Sequence, residues 1–186
     1  MLLIWDLTVL VVNNGSPFVK DITLCLDKIG HTYALMKYDE DFQLSNFEKV
    51  ILSGRQKYKK EINSINSKII KTCFSNETPI LGICYGAEII ALTFGGSILK
   101  TGHVQGPNRI KITMPTILLK ETSCNVYESH SYAISHLPEN FVCMASSDSA
   151  KYEIFCHNYK RIYGTQFHPE KSGDCGAKLI RNFVSL

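Results

Sequence analysis

The sequence predicts a single α/β domain with a mostly parallel central sheet, helices on both faces and a small antiparallel addition. Short apolar segments of strand length alternate with longer segments of helical periodicity through the first half of the chain. This alternation is typical of βαβ units. The length of 186 residues suits one well-buried domain, so residues 1–186 are expected to form a single unit.

The N-terminal elements follow this alternation. Val9–Asn13 is an apolar strand segment that ends at the turn signal Asn13-Asn14-Gly15-Ser16-Pro17. Residues 18–29 carry apolar side chains at helical spacing, and Gly30 is a natural helix stop. A second strand is predicted over residues 32–38.

The next elements complete the parallel part of the predicted sheet. Residues 50–52 form a short apolar strand that Ser53 and Gly54 stop. Isoleucines at helical spacing predict a helix over residues 59–73, and Pro79 precedes the apolar strand Ile80–Ile83. Because parallel strands are joined by crossover helices, these units predict helices on both faces of the sheet.

The second half of the chain has a different pattern. Between residues 98 and 162, short apolar segments with turn residues between them predict antiparallel strands over residues 109–113, 116–119 and 141–145. Residues 176–184 are predicted to close the chain as a helix. These strands are expected to extend the same sheet rather than to form a second domain.

Composition and charge exclude several classes of protein. The net charge of +3 gives no indication of a nucleic-acid partner. No apolar run approaches the roughly 20 residues that span a bilayer, and the apolar N-terminus lacks the basic leader of a secretory signal. Seven cysteines at irregular spacing argue against a disulfide framework and favour a reducing cytoplasm. The sequence predicts no metal site and no organic cofactor.

A candidate nucleophile lies between the strand Ile80–Ile83 and an apolar helix over residues 89–94. The intervening segment has the Gly-x-Cys-x-Gly layout of a nucleophile elbow, with Cys84 between Gly82 and Gly86. Side chains at the two glycines would clash as the backbone crowds the turn. A cysteine at a helix N-terminus is favoured as the thiolate, which predicts a lowered pKa for Cys84 at the carboxyl edge of the sheet.

A candidate base and its partner follow a predicted strand near the C-terminus, in the sequence His168-Pro169-Glu170. His168 can take the thiol proton and later deliver it to a departing group. Glu170 can orient the imidazole and stabilise its cation, as the acid does in any such triad. Pro169 stiffens the turn between them. Together with the elbow, this segment predicts a Cys-His-Glu triad.

These two segments resemble class I glutamine amidotransferase domains. The matching motifs are Gly-Ile-Cys-Tyr-Gly at residues 82–86 and Tyr-Gly-Thr-Gln-Phe-His-Pro-Glu at residues 163–170. The resemblance extends to residues 11–16, to residues 51–54 at the start of the family's oxyanion loop, and to residues 128–130 before the histidine strand. It therefore covers the chain from about Val9 to the end.

The resemblance implies that residues 1–186 form a glutaminase domain that hydrolyses glutamine to glutamate and ammonia. Cys84 would form a γ-glutamyl thioester, and His168 and Glu170 would complete the triad. The two oxyanion donors map to the backbone amides of Tyr85 and Arg55. The implied substrate-binding residues are Gly54, Gly86, Glu88, Ser131 and Tyr132.

Two positions depart from the family pattern. The oxyanion loop commonly reads Ser-Gly-Gly-Pro, but here it reads Ser53-Gly54-Arg55-Gln56. Because arginine adopts positive φ less readily than glycine, the oxyanion hole is expected to be misformed or to form only with a partner. The usual glutamine four residues beyond the nucleophile is replaced by Glu88. Its charge would either pair with the substrate ammonium or indicate a different substrate.

The resemblance also implies a partner, because such glutaminases pass their ammonia to a synthase and no synthase domain fits within these residues. Residues 128–130 and 137–138 most resemble the glutaminase subunits of two-subunit GMP synthases, whose partner uses ATP and which serve purine biosynthesis. Three alternatives stay open: a glutaminase subunit of anthranilate or aminodeoxychorismate synthase, a stand-alone γ-glutamyl peptidase or hydrolase, and a non-catalytic interaction subunit.

Overall fold

Strands and helices alternate through the first half of the chain, as the apolar pattern predicts. The structure, a computed structural model, describes residues 8–57 and 59–186. Its strands are β1 (Val9–Asn13), β2 (Tyr33–Lys37), β3 (Lys49–Leu52), β4 (Ile80–Ile83), β5 (Ser97–Ile112), β6 (Ser123–His136), β7 (Phe141–Ser146), β8 (Ile154–His157) and β9 (Ile162–Thr165). Its helices are α1 (Val19–Ile29), α2 (Lys60–Asn76), α3 (Tyr85–Thr93) and α4 (Gly173–Val184), with short 3₁₀ turns at Leu44–Asn46 and Pro169–Lys171.

All of these strands belong to one nine-stranded sheet in the order β2-β1-β3-β4-β9-β8-β7-β5-β6. The neighbours from β2 to β9 pair in parallel. Val9 and Val11 of β1 join a core cluster with α1 and α4, whereas Leu10 and Val12 join a second cluster with α2 and α3. Burial on both faces explains the continuous apolar sequences of these strands and confirms helices on both sides of the sheet.

The carboxyl ends of four parallel strands meet at one edge of the sheet. The loop after β1 begins at Asn14, the loop after β3 begins at Ser53, β4 ends just before Cys84, and β9 ends just before Gln166. Sites in open α/β sheets form at such an edge, where neighbouring loops converge. This topology brings together motifs that are far apart in the sequence.

The other half of the sheet is antiparallel, from β9 through β8, β7 and β5 to β6. The predicted strands over residues 109–113 and 141–145 correspond to the end of β5 and to β7. β5 is much longer than its predicted segment, and β6 was not predicted. The predicted strand over residues 116–119 is wrong. There the chain turns, with the Thr116 hydroxyl accepting from the Leu118 amide. Leu118 and Leu119 are apolar because they are buried in the core.

A disulfide joins Cys124 of β6 to Cys175 of α4, with a Cα–Cα distance of 6.3 Å. The irregular cysteine spacing argued against a disulfide framework and gave no sign of this crosslink, whose positions lie 51 residues apart in the sequence. Cys25, Cys73, Cys84, Cys143 and Cys156 are free thiols. The crosslink fixes the start of α4 to the antiparallel part of the sheet.

Two kinds of feature are absent from residues 8–57 and 59–186. No helix in these ranges is long and apolar enough to span a membrane. No group of three or more His, Cys, Asp or Glu side chains in the same ranges is arranged to hold a metal ion.

Candidate active site

Cys84 lies at the sharp turn between β4 and α3. Its backbone φ of 51° and ψ of −107° are values that few non-glycine residues adopt, as expected for a nucleophile elbow. The flanking glycines are required by close approach of the backbone. A Cβ added at Gly82 would lie 2.4 Å from the Gly86 carbonyl oxygen. A Cβ added at Gly86 would lie 2.3 Å from the Leu52 carbonyl oxygen. The chain therefore has the predicted elbow.

His168 and Glu170 follow β9 at the same edge of the sheet. His168 Nδ1 is 2.8 Å from Glu170 Oε1, and both side chains are buried. The His168 amide donates to the Tyr127 carbonyl, and the Ser172 hydroxyl donates to the His168 carbonyl. Because Nδ1 is hydrogen-bonded to the Glu170 carboxylate, Nε2 is the ring nitrogen that can accept a proton.

Gly54, in the loop after β3, lies against both the nucleophile and the base. A Cβ at this position would lie 3.2 Å from His168 Cε1 and 3.7 Å from Cys84 Cβ. Cys84 and His168 also line one cavity of about 570 Å³, a volume within the range of small-molecule sites. The structure thus brings the three predicted triad residues together beside a cavity.

Burial determines the acidity of Cys84 in this structure. Burial raises the pKa of the Cys84 thiol well above its ordinary value, and the Glu88 carboxylate raises it further. The Tyr85 backbone amide donates to the sulfur and lowers the pKa, but by less. The predicted lowering of the Cys84 pKa is therefore wrong, because desolvation outweighs the helix N-terminus. In this structure the Cys84 thiol contacts the Ser129 carbonyl oxygen at 3.7 Å, and a neutral thiol must lose its proton as it attacks.

The predicted oxyanion donors are the amides of Tyr85 and Arg55. The Tyr85 amide points at the Cys84 sulfur, and Arg55 lines the cavity. Among the residues that the structure describes, the non-glycine positions with positive φ do not include Arg55. Arg55 therefore does not adopt the positive φ that arginine disfavours, and whether its amide completes the oxyanion hole stays a prediction.

The Arg55 side chain fastens the oxyanion loop to two helices. Its guanidinium carbon lies 3.9 Å from the centroid of the Tyr85 ring. Its Nη1 donates to Asn63 Oδ1 at 3.0 Å, and the Tyr85 hydroxyl donates to the same oxygen at 2.9 Å. Arginine therefore adds contacts that a glycine could not make.

Glu88 is a buried carboxylate in the wall of the cavity. Gln166 Nε2 donates to Glu88 Oε1 at 3.3 Å. Burial raises the pKa of Glu88, and the Gln166 hydrogen bond and the positive charge of Arg55 oppose the rise. A cationic group entering the cavity would stabilise the charged form of Glu88.

The remaining implied substrate contacts divide into two groups. Ser131 and Tyr132 of β6 line the cavity, and 44% of Tyr132 is exposed. Gly86 instead lies against the Leu52 carbonyl and does not belong to the cavity wall. Close packing of the elbow accounts for glycine at this position, and the implied role of Gly86 in substrate binding stays a prediction.

Sequence reasoning missed a second imidazole–carboxylate pair in the site. His130 lines the cavity, and its Nε2 is 2.6 Å from Oε2 of the fully buried Glu128. Burial favours the neutral form of Glu128, but hydrogen bonds from His130, Asn108 and Ser149 lower its pKa to about 2. Two ionisable residues at alternate positions of one strand, here Glu128 and His130, are a signal that they share a face.

Other cavity residues come from segments without a motif. His103 and Gln105 of β5 line the cavity, and His103 Nδ1 is 3.2 Å from the Ser131 hydroxyl. Phe18 packs edge-on against the His168 ring, with 4.8 Å between ring centroids. Phe18 lies in the connection after β1. A contribution from this connection to the site could have been expected, because it follows a parallel strand at the carboxyl edge of the sheet.

Known proteins are similar to this chain in sequence. The family model for class I glutamine amidotransferases matches residues 10–186. The glutamine-hydrolyzing GMP synthase of Campylobacter hominis is 32% identical over 185 residues, which cover 95% of this chain and 35% of that protein. The A subunit of the glutamine-hydrolyzing GMP synthase of Thermoplasma acidophilum is 31% identical over 186 residues, which cover 97% of this chain and 92% of that protein.

Solved structures with similar folds are also known. The crystal structure of a protein from Thermoplasma acidophilum, described as the A subunit of GMP synthase, has a TM-score of 0.87 at 30% identity, covering 96% of this chain and 92% of that chain. A glutamine amidotransferase from Thermotoga maritima has a TM-score of 0.76 at 19% identity, covering 89% of this chain and 77% of that chain, and shares the fold.

The lengths of these relatives differ. The chain spans 35% of the length of the relatives from Campylobacter hominis and Petrotoga mobilis, but 92% of the Thermoplasma acidophilum protein. The family model extends from β1 to the C-terminus and includes the elbow and the His-Pro-Glu segment. This chain belongs to the class I glutamine amidotransferase family.

Proposed function

We propose that this chain hydrolyses glutamine to glutamate and ammonia through a thioester on Cys84 and passes the ammonia to a separate synthase subunit. The observation that carries the proposal is the position of the triad. A buried His168–Glu170 pair and the elbow cysteine meet beside one cavity at the carboxyl edge of the sheet.

The first half of the reaction is acyl transfer to the thiol. Nε2 of His168 takes the Cys84 proton as the sulfur attacks the glutamine side-chain carbonyl, since the raised thiol pKa leaves little thiolate beforehand. Glu170, bonded to Nδ1, stabilises the imidazolium that forms. His168 then delivers the proton to the departing nitrogen, which leaves as ammonia and yields the γ-glutamyl thioester.

The second half is hydrolysis of this thioester. His168 takes a proton from water as the water oxygen attacks the acyl carbon, and the thiolate of Cys84 leaves and is reprotonated. A tetrahedral oxyanion forms in each half and needs preorganised donors. The amides of Tyr85 and Arg55 are the proposed donors, because the Tyr85 amide points at the sulfur and Arg55 is a residue of the cavity wall.

Substrate recognition is proposed for residues that line the same cavity as Cys84 and His168. The Glu88 carboxylate would pair with the α-ammonium of glutamine, and Ser131 and Tyr132 would hold its amino-acid end. Support comes from their shared position in the cavity wall and from the burial of Glu88. A buried carboxylate bonded to a neutral amide gains more from a substrate cation than an exposed one would.

The proposed partner is the ATP-dependent synthetase subunit of a GMP synthase, in the cytoplasm. Relatives named as the A subunit of GMP synthase have nearly the length of this chain and support a two-subunit arrangement. Ammonia from Cys84 would then aminate a purine nucleotide on the partner. No organic cofactor or metal is proposed for this chain.

The test is covalent labelling with a glutamine-mimicking diazoketone, followed by intact mass measurement and peptide mapping. We expect a single adduct on Cys84, blocked by a tenfold excess of glutamine and absent from Cys84→Ala. Cys143→Ala is the matched control, since Cys143 is a free thiol outside the cavity and should not change the labelling.

Other outcomes discriminate between the alternatives. An adduct on Cys84 that glutamine does not block would favour a γ-glutamyl peptidase or hydrolase. No adduct, with or without a GMP synthetase subunit, would contradict an active glutaminase. Glutamine-dependent GMP formation that persists with Cys84→Ala would support a non-catalytic interaction subunit instead.

A further inference from the structure

A buried chain of hydrogen bonds holds the loop after β3. The Ser53 hydroxyl is fully buried, donates to the Gly54 carbonyl oxygen at 2.9 Å and accepts from the Asn14 amide at 2.9 Å. Asn14 Nδ2 donates to the Ser53 carbonyl at 3.1 Å, and Asn66 Nδ2 of α2 donates to Asn14 Oδ1 at 2.8 Å. We call Ser53, Asn14 and Asn66 the Ser53 clasp.

The Ser53 clasp determines the orientation of one peptide group. The described chain has no cis peptide bond, and in a planar trans peptide the carbonyl and the following N–H point in opposite directions. The Gly54 carbonyl turns toward the buried Ser53 hydroxyl. The Arg55 N–H therefore points away from the Ser53 hydroxyl, in the opposite direction within the peptide plane.

This peptide adjoins the reacting groups. Gly54 lies against His168 and Cys84, and Arg55 lines the cavity that they share. Were the peptide reversed, the Gly54 carbonyl oxygen would lie where the Arg55 N–H now lies. A carbonyl there would repel a tetrahedral oxyanion instead of donating to it.

We propose that Ser53 is a positioning residue whose hydroxyl keeps the Gly54–Arg55 peptide oriented so that the Arg55 amide donates to the oxyanion formed from glutamine. This inference rests on the proposed function and adds the device that preforms half of the oxyanion hole without a partner. The hydroxyl acts through the peptide and does not touch the substrate.

The test compares Ser53→Ala with Ser67→Ala. The Ser67 hydroxyl also has a side-chain partner, Thr93 at 2.9 Å, but lies on α2 outside the cavity. Asn66→Ala is a second variant, because it loosens the Ser53 clasp from α2 without changing the oxyanion loop itself. For each folded variant, glutamine hydrolysis gives kcat and KM.

Two further measurements separate oxyanion stabilisation from other effects. Alkylation of Cys84 by iodoacetamide displaces iodide at a saturated carbon, so it depends on the thiol and its base but forms no oxyanion. Inhibition by an aldehyde analogue of glutamine depends on the hole, because the aldehyde forms a tetrahedral hemithioacetal on Cys84. A purely structural role for Ser53 would change both measurements together.

We expect Ser53→Ala to lower kcat by about tenfold to a hundredfold, below the roughly 10²–10³-fold cost of deleting one oxyanion donor outright. KM and the alkylation rate should stay within about threefold of wild type, and the aldehyde should bind more weakly by a factor similar to the loss in kcat. Asn66→Ala should show the same pattern with a smaller loss, and Ser67→Ala should behave as wild type.

Unchanged kcat and aldehyde affinity in folded Ser53→Ala would overturn the inference. Equal losses in alkylation and hydrolysis would also overturn it, because they would indicate a general disturbance of the site. If Ser53→Ala does not fold, the same criteria apply to Asn66→Ala. Wild-type protein that is alkylated at Cys84 but hydrolyses no glutamine would instead contradict the proposed function, and the inference with it.

Discussion

Glu128 and Glu153 are fully buried and share one hydroxyl, since Ser149 Oγ lies 2.7 Å from Glu128 Oε1 and 3.3 Å from Glu153 Oε1. Burial, and then repulsion from Glu128, raise the pKa of Glu153 to about 8. The pKa of Glu128 is lowered to about 2. The pair therefore retains one proton on Glu153 near neutral pH, immediately behind the His130 wall of the cavity.

This shared proton predicts how stability changes with pH. A Glu153 pKa of about 8 in the folded chain, above its ordinary value, means that the folded state binds one more proton than the unfolded state from pH 4.5 to about 8. The free energy of unfolding should fall as pH rises through this window, by up to about 1.4 kcal/mol per pH unit from this group.

Glu153→Gln should remove that dependence and flatten the slope between about pH 5 and 8. Urea unfolding at several pH values measures it, and Glu139→Gln, at an exposed glutamate, is the control. An unchanged slope in Glu153→Gln would show that this carboxyl does not carry the proton.

The acid of the triad should matter to catalysis far more than to folding. Glu170→Gln keeps the shape of the side chain but loses the charge that stabilises the His168 imidazolium. We expect glutamine hydrolysis to fall by at least about a hundredfold, given losses of about 10⁴-fold for the equivalent change in serine triads. The measurement is kcat for glutamate release, with Glu121→Gln as a control distant from the cavity. A loss below about fivefold would remove Glu170 from the triad.

Glu88 should influence both the thiol and the substrate. Its carboxylate raises the Cys84 pKa, so Glu88→Gln should shift the pH dependence of Cys84 alkylation to lower pH. The same change should raise KM for glutamine roughly tenfold, because a charge-assisted contact to the α-ammonium is lost. Alkylation measured by peptide mass across about pH 7–10 tests the first effect, and steady-state kinetics test the second. A lower KM would mean that Glu88 does not contact the ammonium.

The crosslink between Cys124 and Cys175 closes a loop of 51 residues. In the chain-entropy treatment of disulfides, a loop of this size corresponds to about 4 kcal/mol of stability. Cys175→Ser should lower the free energy of unfolding by an amount of that order, and a dithiol reductant should destabilise the wild type but not this variant. Cys143→Ser is the control. Equal stability of wild type and Cys175→Ser under oxidising conditions would contradict the crosslink.

The sequence predicted what depends on neighbouring residues. The elbow around Cys84 and the pair His168 and Glu170 are each coded within a few positions, because turn chemistry and strand-to-helix geometry are local. The parallel order of the first strands follows from their crossover helices. Because β1 is buried on both faces, its sequence is continuously apolar, and it could be predicted as a strand without knowledge of the strands that pair with it.

What the sequence did not predict depends on distant pairing or on solvation. The length of β5 and β6 comes from their mutual register, and many of their residues are polar, so no apolar run marked them. The contact between Glu128 and Glu153 and the pairing of Cys124 with Cys175 exist only once these strands are placed. The raised pKa of Cys84 follows from burial, which a helix N-terminus in the sequence does not reveal.

The close approach at the elbow gives the sharpest test of its geometry. A Cβ at Gly86 would lie 2.3 Å from the Leu52 carbonyl oxygen, whereas a Cβ at Gly102 would meet nothing within 4 Å and Gly102 has no positive φ. Gly86→Ala must therefore displace α3 from β3, at a cost of roughly 1–3 kcal/mol or more. The free energy of unfolding in urea and the extent of diazoketone labelling should both fall in Gly86→Ala and stay unchanged in Gly102→Ala. Wild-type stability and labelling in Gly86→Ala would mean that α3 and β3 are farther apart than they are here, and that the position of Cys84 does not depend on glycine at this turn.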